Sequence, residues 1–299
     1  MKRNVIRRRL IEPKSNAGED LDPKDGAVQC VDRALLIIET LAEDDEGYRL
    51  SDLAVRTGLS TSTVHRLLAT LEKRRFVQFD RYESKWHVGA QSFAVGAAFT
   101  RRRNFAAQAM PYLRKLRDQT RETANLAVVD DESIMVLTRM ESREIMRSLT
   151  KVGGRVAMVA SGVGKAVLAT YSDEDVNAII CRQGMPRITE KSIVRPSELF
   201  RELETIRRQG YAVDDEEARI GLRCVAAVVY NDCSEPLAAI SVSGMTSRVT
   251  DDRLPILGRT VREVAAELTV ALGGVTPVAA DESRAKRGFG RTDSIFSSR

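Results

Sequence analysis

Residues 49–80 read RLSDLAVRTGLSTSTVHRLLATLEKRRFVQFD, and this stretch decides the fold of the N-terminal part of the chain. Apolar residues recur at helical spacing before and after Gly58, and a glycine there can form the tight turn between two short helices. Ser51 and Ser60 stand where the N-cap hydroxyl of each helix is expected. The stretch therefore predicts a helix-turn-helix over residues 50–72.

The second helix of this pair has an outward face suited to DNA. Val64 and Leu68 face inward, while the opposite side carries small hydroxyls that permit close approach to a groove and an arginine that can donate to guanine or phosphate. The predicted DNA contacts on this helix and its cap are Ser60, Thr61, Ser62, Thr63, His65, Arg66 and Thr70.

A hairpin follows the two helices. Apolar and polar residues alternate in 77–79 and 86–88 on either side of a polar turn at 80–84, which is typical of two short strands. This hairpin, residues 76–88, is the predicted wing, and Arg81 and Lys85 near its tip complete the predicted DNA contacts. An apolar stripe predicts one more helix from residue 28 to about residue 43, so the winged helix-turn-helix domain spans 28–90.

Basic residues cluster in the same part of the chain. The formal net charge is only +5, with 47 basic and 42 acidic residues, but basic runs at 7–9, 73–75 and 101–103 all lie before residue 104. A single charge run is usually a solvated surface, whereas basic runs combined with three helices and a hairpin in this order favour DNA binding. We therefore expect double-stranded DNA to be the partner of the N-terminal domain.

Both ends of the chain are polar and lack apolar periodicity, which predicts disordered tails at 1–27, where the tail is basic, and at 275–299. No apolar run approaches the roughly 20 residues that span a bilayer, and none follows the basic N-terminus as in a signal peptide. The four cysteines form no CxxC pair, so we expect free thiols. These features predict a cytoplasmic protein that does not contact membranes.

A helical stretch and an α+β domain follow the hairpin. Residues 91–122 have the composition of a linker helix, suited equally to dimerisation and to packing against the next domain, and Pro111 is expected to break or restart it. Beyond residue 123, strand-like segments, EIMRSLT at 144–150 among them, alternate with amphipathic helices. We predict an antiparallel sheet with helices packed on it over 105–274, and thus an α+β fold class.

The sequence offers few residues or motifs suited to catalysis. The two histidines, His65 and His87, both lie in the predicted DNA-binding domain, which leaves the larger domain without an imidazole for acid–base catalysis or metal binding. A phosphate loop of the form GxxxxGK[ST] fails because Val159 and Ala166 occupy two of its required positions. We therefore expect no enzyme activity, no metal and no cofactor.

Polar residues of the larger domain predict a small binding cavity. Ser241 and Ser243 are two residues apart on one strand and so share a face, and Cys224 opens the partner strand. The acidic turn around Asp214 and the helix start at Gly162, whose free N–H groups suit a carboxylate, can converge with them. The apolar walls of this cavity would be Val156 and Leu222.

Two other interpretations of these residues stay open. Serines on a strand are often surface groups or hydrogen-bonded core groups without a ligand. In the second interpretation, the position of Cys224 near a helix start makes its thiolate reactive, and the protein is a thiol redox-sensing regulator.

Several stretches of the chain resemble a known family. IclR-type transcriptional regulators carry, in this order, segments similar to VDRALLIIETLAE (31–43), LSDLAVRTGLSTSTVHRLLATLE (50–72), GAQSFAVGAAF (89–99), ASGVGKAVLA (160–169), GYAVDDEEARIGLRCVAA (210–227) and AAISVSGMTSRVTDDR (238–253). The likeness covers residues 28–274 and is greatest to the subgroup that controls the glyoxylate bypass. It implies a GAF/PAS-like effector-binding domain after the winged helix-turn-helix, and a homodimer or dimer of dimers on palindromic operator DNA.

The resemblance also implies an effector and its contacts. In that subgroup glyoxylate or pyruvate occupies the effector pocket, so the ligand expected here is glyoxylate or a related 2-oxo acid. By position, its carboxylate would meet the backbone of Gly162 and Val163. Its other polar contacts would be Asp214, Cys224, Ser241 and Ser243, and its apolar wall would be Ile145, Val156 and Leu222. The chain departs from the family at 156–160, which lacks a common Pro and His, and at Ser148, where the subgroup has a larger apolar side chain.

Overall fold

The computed structural model describes residues 28–102, 105–130, 133–142 and 151–277. These residues form two compact units that divide after Arg102. The predicted tail at 1–27, most of the predicted tail at 275–299 and the predicted strand at 144–150 lie outside the described residues. Among the described residues, no helix is both long and apolar enough to cross a membrane.

The N-terminal unit has the elements of a winged helix-turn-helix in the predicted order. They are α1 (Gln29–Ala42), α2 (Leu50–Thr57), α3 (Thr61–Lys73), β1 (Val77–Asp80), β2 (Lys85–Val88) and α4 (Ala90–Arg102). The two strands pair antiparallel, with Phe79 opposite Trp86. Tyr48 bonds through its backbone to Trp86, which attaches the segment before α2 to the hairpin.

Local signals fix the turn between α2 and α3. Gly58 ends α2 in the left-handed conformation, with a φ of +66°, which favours glycine. Ser60 caps α3, because its hydroxyl accepts a hydrogen bond from the Thr63 N–H at 3.2 Å. The prediction of Ser51 as the cap of α2 was wrong. The helix starts earlier, at Leu50, whose side chain packs against the core of this unit.

The C-terminal unit is built on a six-stranded sheet. Its elements are α5 (Phe105–Thr120), β3 (Thr123–Asp130), β4 (Ser133–Met140), β5 (Arg155–Ala157), α6 (Gly162–Leu168), α7 (Asp173–Gln183), α8 (Pro196–Gln209), β6 (Ala212–Asp215), β7 (Leu222–Tyr230), β8 (Pro236–Met245) and α9 (Leu254–Ala271). The strand order is β5-β4-β3-β8-β7-β6, and every neighbouring pair is antiparallel. The predicted α+β class is confirmed.

Helices cover both faces of this sheet. Val225, Ala227 and Val229 of β7 pack in one core with α5 and α9. The alternate residues Ala226 and Val228 pack in a second core with α6, α7 and α8. Because side chains alternate along a strand, Cys224 also lies on the α6 side of the sheet.

Three structural predictions are corrected. Pro111 lies inside α5 and does not end it, because Ala109, Leu113 and Leu116 around it are fully buried against the sheet and α9. That packing outweighs the backbone hydrogen bond that a proline removes. The single helix predicted over 91–122 is two helices, α4 and α5, which belong to different units. Asp214, predicted in a turn, lies on the edge strand β6.

A buried ionic cluster fixes the end of α5. Glu122 is fully buried and accepts hydrogen bonds from Arg248 at 2.9 Å and from Arg253 at 3.5 Å. Arg253 also donates to the carbonyl oxygens of Thr120, at 2.9 Å, and of Arg248. These bonds join the last turn of α5 to the segment between β8 and α9.

Replacing Glu122 by alanine is expected to destabilise the C-terminal unit by about 3 kcal/mol, because it leaves two arginines without their buried acceptor. The measurement is urea unfolding followed by far-UV circular dichroism, with the fluorescence of Trp86 reporting the N-terminal unit in parallel. The matched control is Glu267→Ala, which breaks the half-exposed pair with Lys115 and should cost at most about 1 kcal/mol. Equal losses in the two variants would contradict the role assigned to Glu122.

Candidate DNA-binding surface and effector site

The outer side of α3 presents the predicted DNA contacts. Val64 and Leu68 are fully buried on the inner side. The exposed residues of this helix and its cap include Ser60, Thr61, Ser62, His65, Arg66 and Thr70, whereas Thr63 is half-buried. Arg66 makes no ion pair with any described residue, so its guanidinium is available to an anionic partner.

The hairpin tip has less positive charge available to a partner than the sequence suggests. Arg81 is exposed, but Lys85 is half-buried and pairs with Glu83 at 3.2 Å. Tyr82, which the sequence reasoning missed, is fully exposed at the tip. Asp80 orders the turn, because its carboxylate accepts hydrogen bonds from the backbone of Glu83 and Tyr82, and these bonds lower its pKa.

A second group of polar side chains lies on the α6 side of the large sheet. In the strand register Asp214 is opposite Cys224, and Cys224 is opposite Ser243. Ser241 is two residues before Ser243 on β8 and therefore lies on the same face of the sheet. The first residue of α6, Gly162, comes so close that an added Cβ would lie 3.4 Å from the Cys224 sulfur and 3.4 Å from the Asp214 nitrogen. The structure thus brings these five predicted residues together.

The start of α6 completes this cluster. Ser161 caps the helix by accepting the Gly164 N–H at 3.1 Å. As the first two residues of the helix, Gly162 and Val163 have N–H groups without an acceptor among the described residues. Both residues are buried. The cluster is therefore lined by neutral hydrogen-bond donors as well as by a carboxyl group.

The three predicted wall residues do not all lie beside this cluster in the described structure. Leu222 is two residues before Cys224 and so lies on the same face of β7, half-buried. Val156 packs in the same core layer but on β5, the opposite edge of the sheet from Asp214. Ile145, like Ser148, lies outside the described residues.

Asn125 belongs to this site, and the sequence reasoning missed it. It lies on β3 opposite Ser241 and is 9% exposed. Its side-chain nitrogen is 3.3 Å from the hydroxyl oxygens of both Ser241 and Ser243. An isolated polar residue in the apolar run TANLAVVD was the available signal.

Burial changes the acid–base behaviour of Asp214. Desolvation and the neighbouring Glu217 raise its pKa to about 6, although hydrogen bonds from backbone N–H groups and the charge of Lys165 act in the opposite direction. One carboxylate oxygen, Oδ1, accepts the N–H groups of Glu217 at 2.8 Å and Ala218 at 3.3 Å. The other oxygen, Oδ2, has no partner among the described residues. Asp214 can thus present a protonated oxygen to a ligand.

A buried ion pair lies beside Asp214. Lys165 of α6 is 1% exposed and contacts Glu217, and it lies 3.4 Å from Glu202 of α8. Desolvation raises the pKa of Glu217 despite the lysine, and its Oε2 atom is buried without a partner among the described residues. In the sequence this lysine was considered only within the rejected phosphate-loop pattern, where it stands among the small residues of ASGVGKAVLA.

The environment of Cys224 disfavours a reactive thiolate. Desolvation and the nearby Asp214 raise the pKa of the thiol to about 11, although hydrogen bonds with Ser243 and Ser241 favour the charged form. Reactive cysteines have lowered pKa values and partial exposure, whereas Cys224 is buried. No group of His, Cys, Asp and Glu suited to a metal ion occurs in the described part of the chain.

Known proteins resemble both units. The family described as "IclR helix-turn-helix domain" matches residues 30–81, and "Bacterial transcriptional regulator IclR C-terminal" matches residues 97–270. The chain is 41% identical over 254 residues to the acetate operon repressor of Salmonella typhimurium, covering 84% of this chain and 93% of that protein. It is 40% identical over 255 residues to the transcriptional repressor IclR of Escherichia coli, covering 85% and 93%.

A solved structure agrees with the fold. The IclR homolog from Microbacterium hydrocarbonoxydans complexed with 4-hydroxybenzoate superimposes with a TM-score of 0.69 at 22% identity, covering 82% of this chain and 99% of that one. The family matches cover both units, and the two repressors align over most of their length. The chain therefore belongs to the IclR family of bacterial transcriptional regulators.

Proposed function

We propose that this DNA-binding regulator is controlled by a small 2-oxo acid, glyoxylate or pyruvate, bound between α6 and strands β6, β7, β8 and β3. The observation that carries the proposal is the convergence of Gly162, Asp214, Cys224, Ser241 and Ser243 on one buried polar cluster. A small cluster with few polar groups suits a ligand of two or three carbon atoms.

The hydrogen-bonding groups match such a ligand. The N–H groups of Gly162 and Val163 suit its carboxylate, and the hydroxyls of Ser241 and Ser243 suit the oxo oxygen. Ionised Asp214 would repel the carboxylate of the ligand, but protonation of Oδ2 turns Asp214 into a hydrogen-bond donor. The 4-hydroxybenzoate bound by the Microbacterium homolog is also a carboxylate, which supports an acid as the effector class.

The exposed polar face of α3 and the hairpin support a DNA-binding arrangement as the second part of the proposal. We propose that the protein is cytoplasmic and acts as a homodimer or dimer of dimers, with two α3 helices in successive major grooves roughly 34 Å apart on double-stranded operator DNA. The contacts would be Ser60, Thr61, Ser62, Thr63, His65, Arg66, Thr70, Arg81 and Lys85, with Lys85 weakened by its pair with Glu83. Contacts to phosphate make the affinity fall with salt concentration.

Replacing Arg66 by alanine is expected to weaken specific DNA binding by about 10- to 100-fold, because a guanidinium contact to a base edge or phosphate is lost. A gel-shift assay measures this on a duplex that the wild-type protein has selected from a randomised pool. Arg195→Ala removes an exposed arginine of the other unit and should leave the affinity unchanged. If Arg66→Ala binds as the wild type does, the assignment of α3 as the recognition helix fails.

The affinity for pyruvate is expected to rise as the pH falls, by at most about tenfold per pH unit. The reason is that an anionic ligand favours protonated Asp214. The rise should stop near pH 6, where Asp214 of the free protein is itself protonated. Calorimetric titration of the full chain with pyruvate, at pH values above and below 6, measures the affinity. Asp214→Asn keeps a donor and an acceptor, so it should bind without the pH dependence.

The control for this experiment is Asp215→Asn. Asp215 is adjacent on β6 but lies on the opposite face, where it pairs with Arg223. Its replacement should leave the pH dependence of pyruvate binding as in the wild type. A wild-type affinity that does not vary with pH, or a dependence that persists in Asp214→Asn, would contradict the proposed contact.

Alkylation separates effector binding from redox sensing. Cys224 is expected to resist iodoacetamide at neutral pH while the exposed thiols of Cys30, Cys181 and Cys233 react, because burial keeps Cys224 protonated. Peptide mass spectrometry over time measures the modification at each cysteine. Rapid modification of Cys224 accompanied by loss of DNA binding would favour the redox sensor instead.

A further inference from the structure

Asn125 contacts both serines of the effector site. Its amide nitrogen lies 3.3 Å from the oxygen of Ser241 and 3.3 Å from that of Ser243. An amide nitrogen has two hydrogens, which is one for each hydroxyl. Ser241 is opposite Asn125 in the register, and Ser243 is the diagonal neighbour. Asn125 and Ser241 are buried, at 9% and 1% exposure, so water does not replace these contacts easily.

The direction of these two hydrogen bonds is fixed by chemistry. An amide nitrogen donates and does not accept, so each serine oxygen accepts from Asn125. Each serine then has a single hydroxyl hydrogen, which must point to a different atom. Both hydroxyls form hydrogen bonds with the Cys224 sulfur, and an atom of a bound ligand can take those hydrogens instead.

The Cys224 sulfur is a weak competitor for those hydrogens. Burial keeps its thiol neutral, and a neutral thiol is a weak acceptor. An oxo or carboxylate oxygen is a much better acceptor, so a ligand oxygen takes the serine hydrogens from the sulfur. The pair Ser241 and Ser243 therefore faces the ligand as two donors.

We infer that Asn125 is a positioning residue that sets ligand specificity: by fixing Ser241 and Ser243 as donors, it makes the site prefer a 2-oxo acid to the matching 2-hydroxy acid. The inference rests on the proposed function. A 2-oxo oxygen only accepts, and it satisfies both serines. A 2-hydroxy group brings a hydrogen of its own against two donors, and its pairing with them is poorer.

Calorimetric titration of the full chain with pyruvate and with each enantiomer of lactate tests this. The wild type is expected to bind pyruvate at least about tenfold more tightly than either lactate. In Asn125→Asp the carboxylate accepts the serine hydrogens, so the serine oxygens face the ligand as acceptors. The pyruvate-to-lactate ratio is then expected to fall by about tenfold.

Three comparisons make the ratio informative. Pyruvate and lactate carry the same charge, so the charge of Asn125→Asp acts on both, and Asp214 is present in every variant. Asn125→Ala frees the serines without reversing them and should lower the ratio by less. Asn177→Asp, at an exposed position of α7, is the matched control and should keep the wild-type ratio.

The outcomes separate this inference from the proposed function. If the wild type prefers pyruvate and Asn125→Asp keeps that preference while folded, as judged by circular dichroism, Asn125 has no such role and the proposed function stands. A wild type that binds pyruvate and lactate equally overturns the inference without any variant, and so decides the matter even if the variants do not fold. A wild type that binds neither overturns the proposed function, and this inference with it.

Discussion

The candidate effector site depends on the pairing of β8 between β3 and β7. Ser241 and Ser243 face α6, whereas Ile240 and Val242 face α5 and α9. A slip of one residue would exchange the two faces and bury both hydroxyls in an apolar core, which fixes the register strongly. The same pairing places Asn125 of β3 and Cys224 of β7 on either side of the two serines. The hydrophobic core on one face of the sheet therefore determines the polar geometry on the other.

The basic side chains around the candidate effector site are already paired with carboxyl groups. Lys165 is buried but already contacts Glu217 and Glu202, so its charge is shared with two carboxyl groups. Arg223 is next to Cys224 in sequence, but it lies on the other face of β7 and pairs with Asp215 and Asp251. The donors left for the proposed ligand are therefore backbone N–H groups and hydroxyls. Such donors would bind a small acid without a strong ion pair, which suits the proposed sensor because its ligand must also leave.

Local patterns in the sequence predicted the DNA-binding domain well, because the cap at Ser60 and the glycine turn at Gly58 act over a few residues. They also placed Ser241 and Ser243 on one face. Contacts between distant segments were not predictable in this way. Asn125 is 116 residues from Ser241, and Lys165 is 52 residues from Glu217. Tertiary packing also overrode two local signals. Packing of Leu50 moved the start of α2 ahead of the predicted cap, and buried neighbours of Pro111 kept α5 continuous.

Control of DNA binding by an effector requires that the ligand favour one arrangement of the chain over another. The structure shows a short connection between the proposed ligand contacts and α5. Ser243 is opposite Thr123 in the register, and the adjacent Glu122 holds Arg253, which bonds to the last turn of α5 through Thr120. Because Glu122 is buried and charged, its partners cannot be lost without a large cost, so the cluster has few alternative arrangements. The cluster therefore links the segment that follows β8 firmly to the last turn of α5.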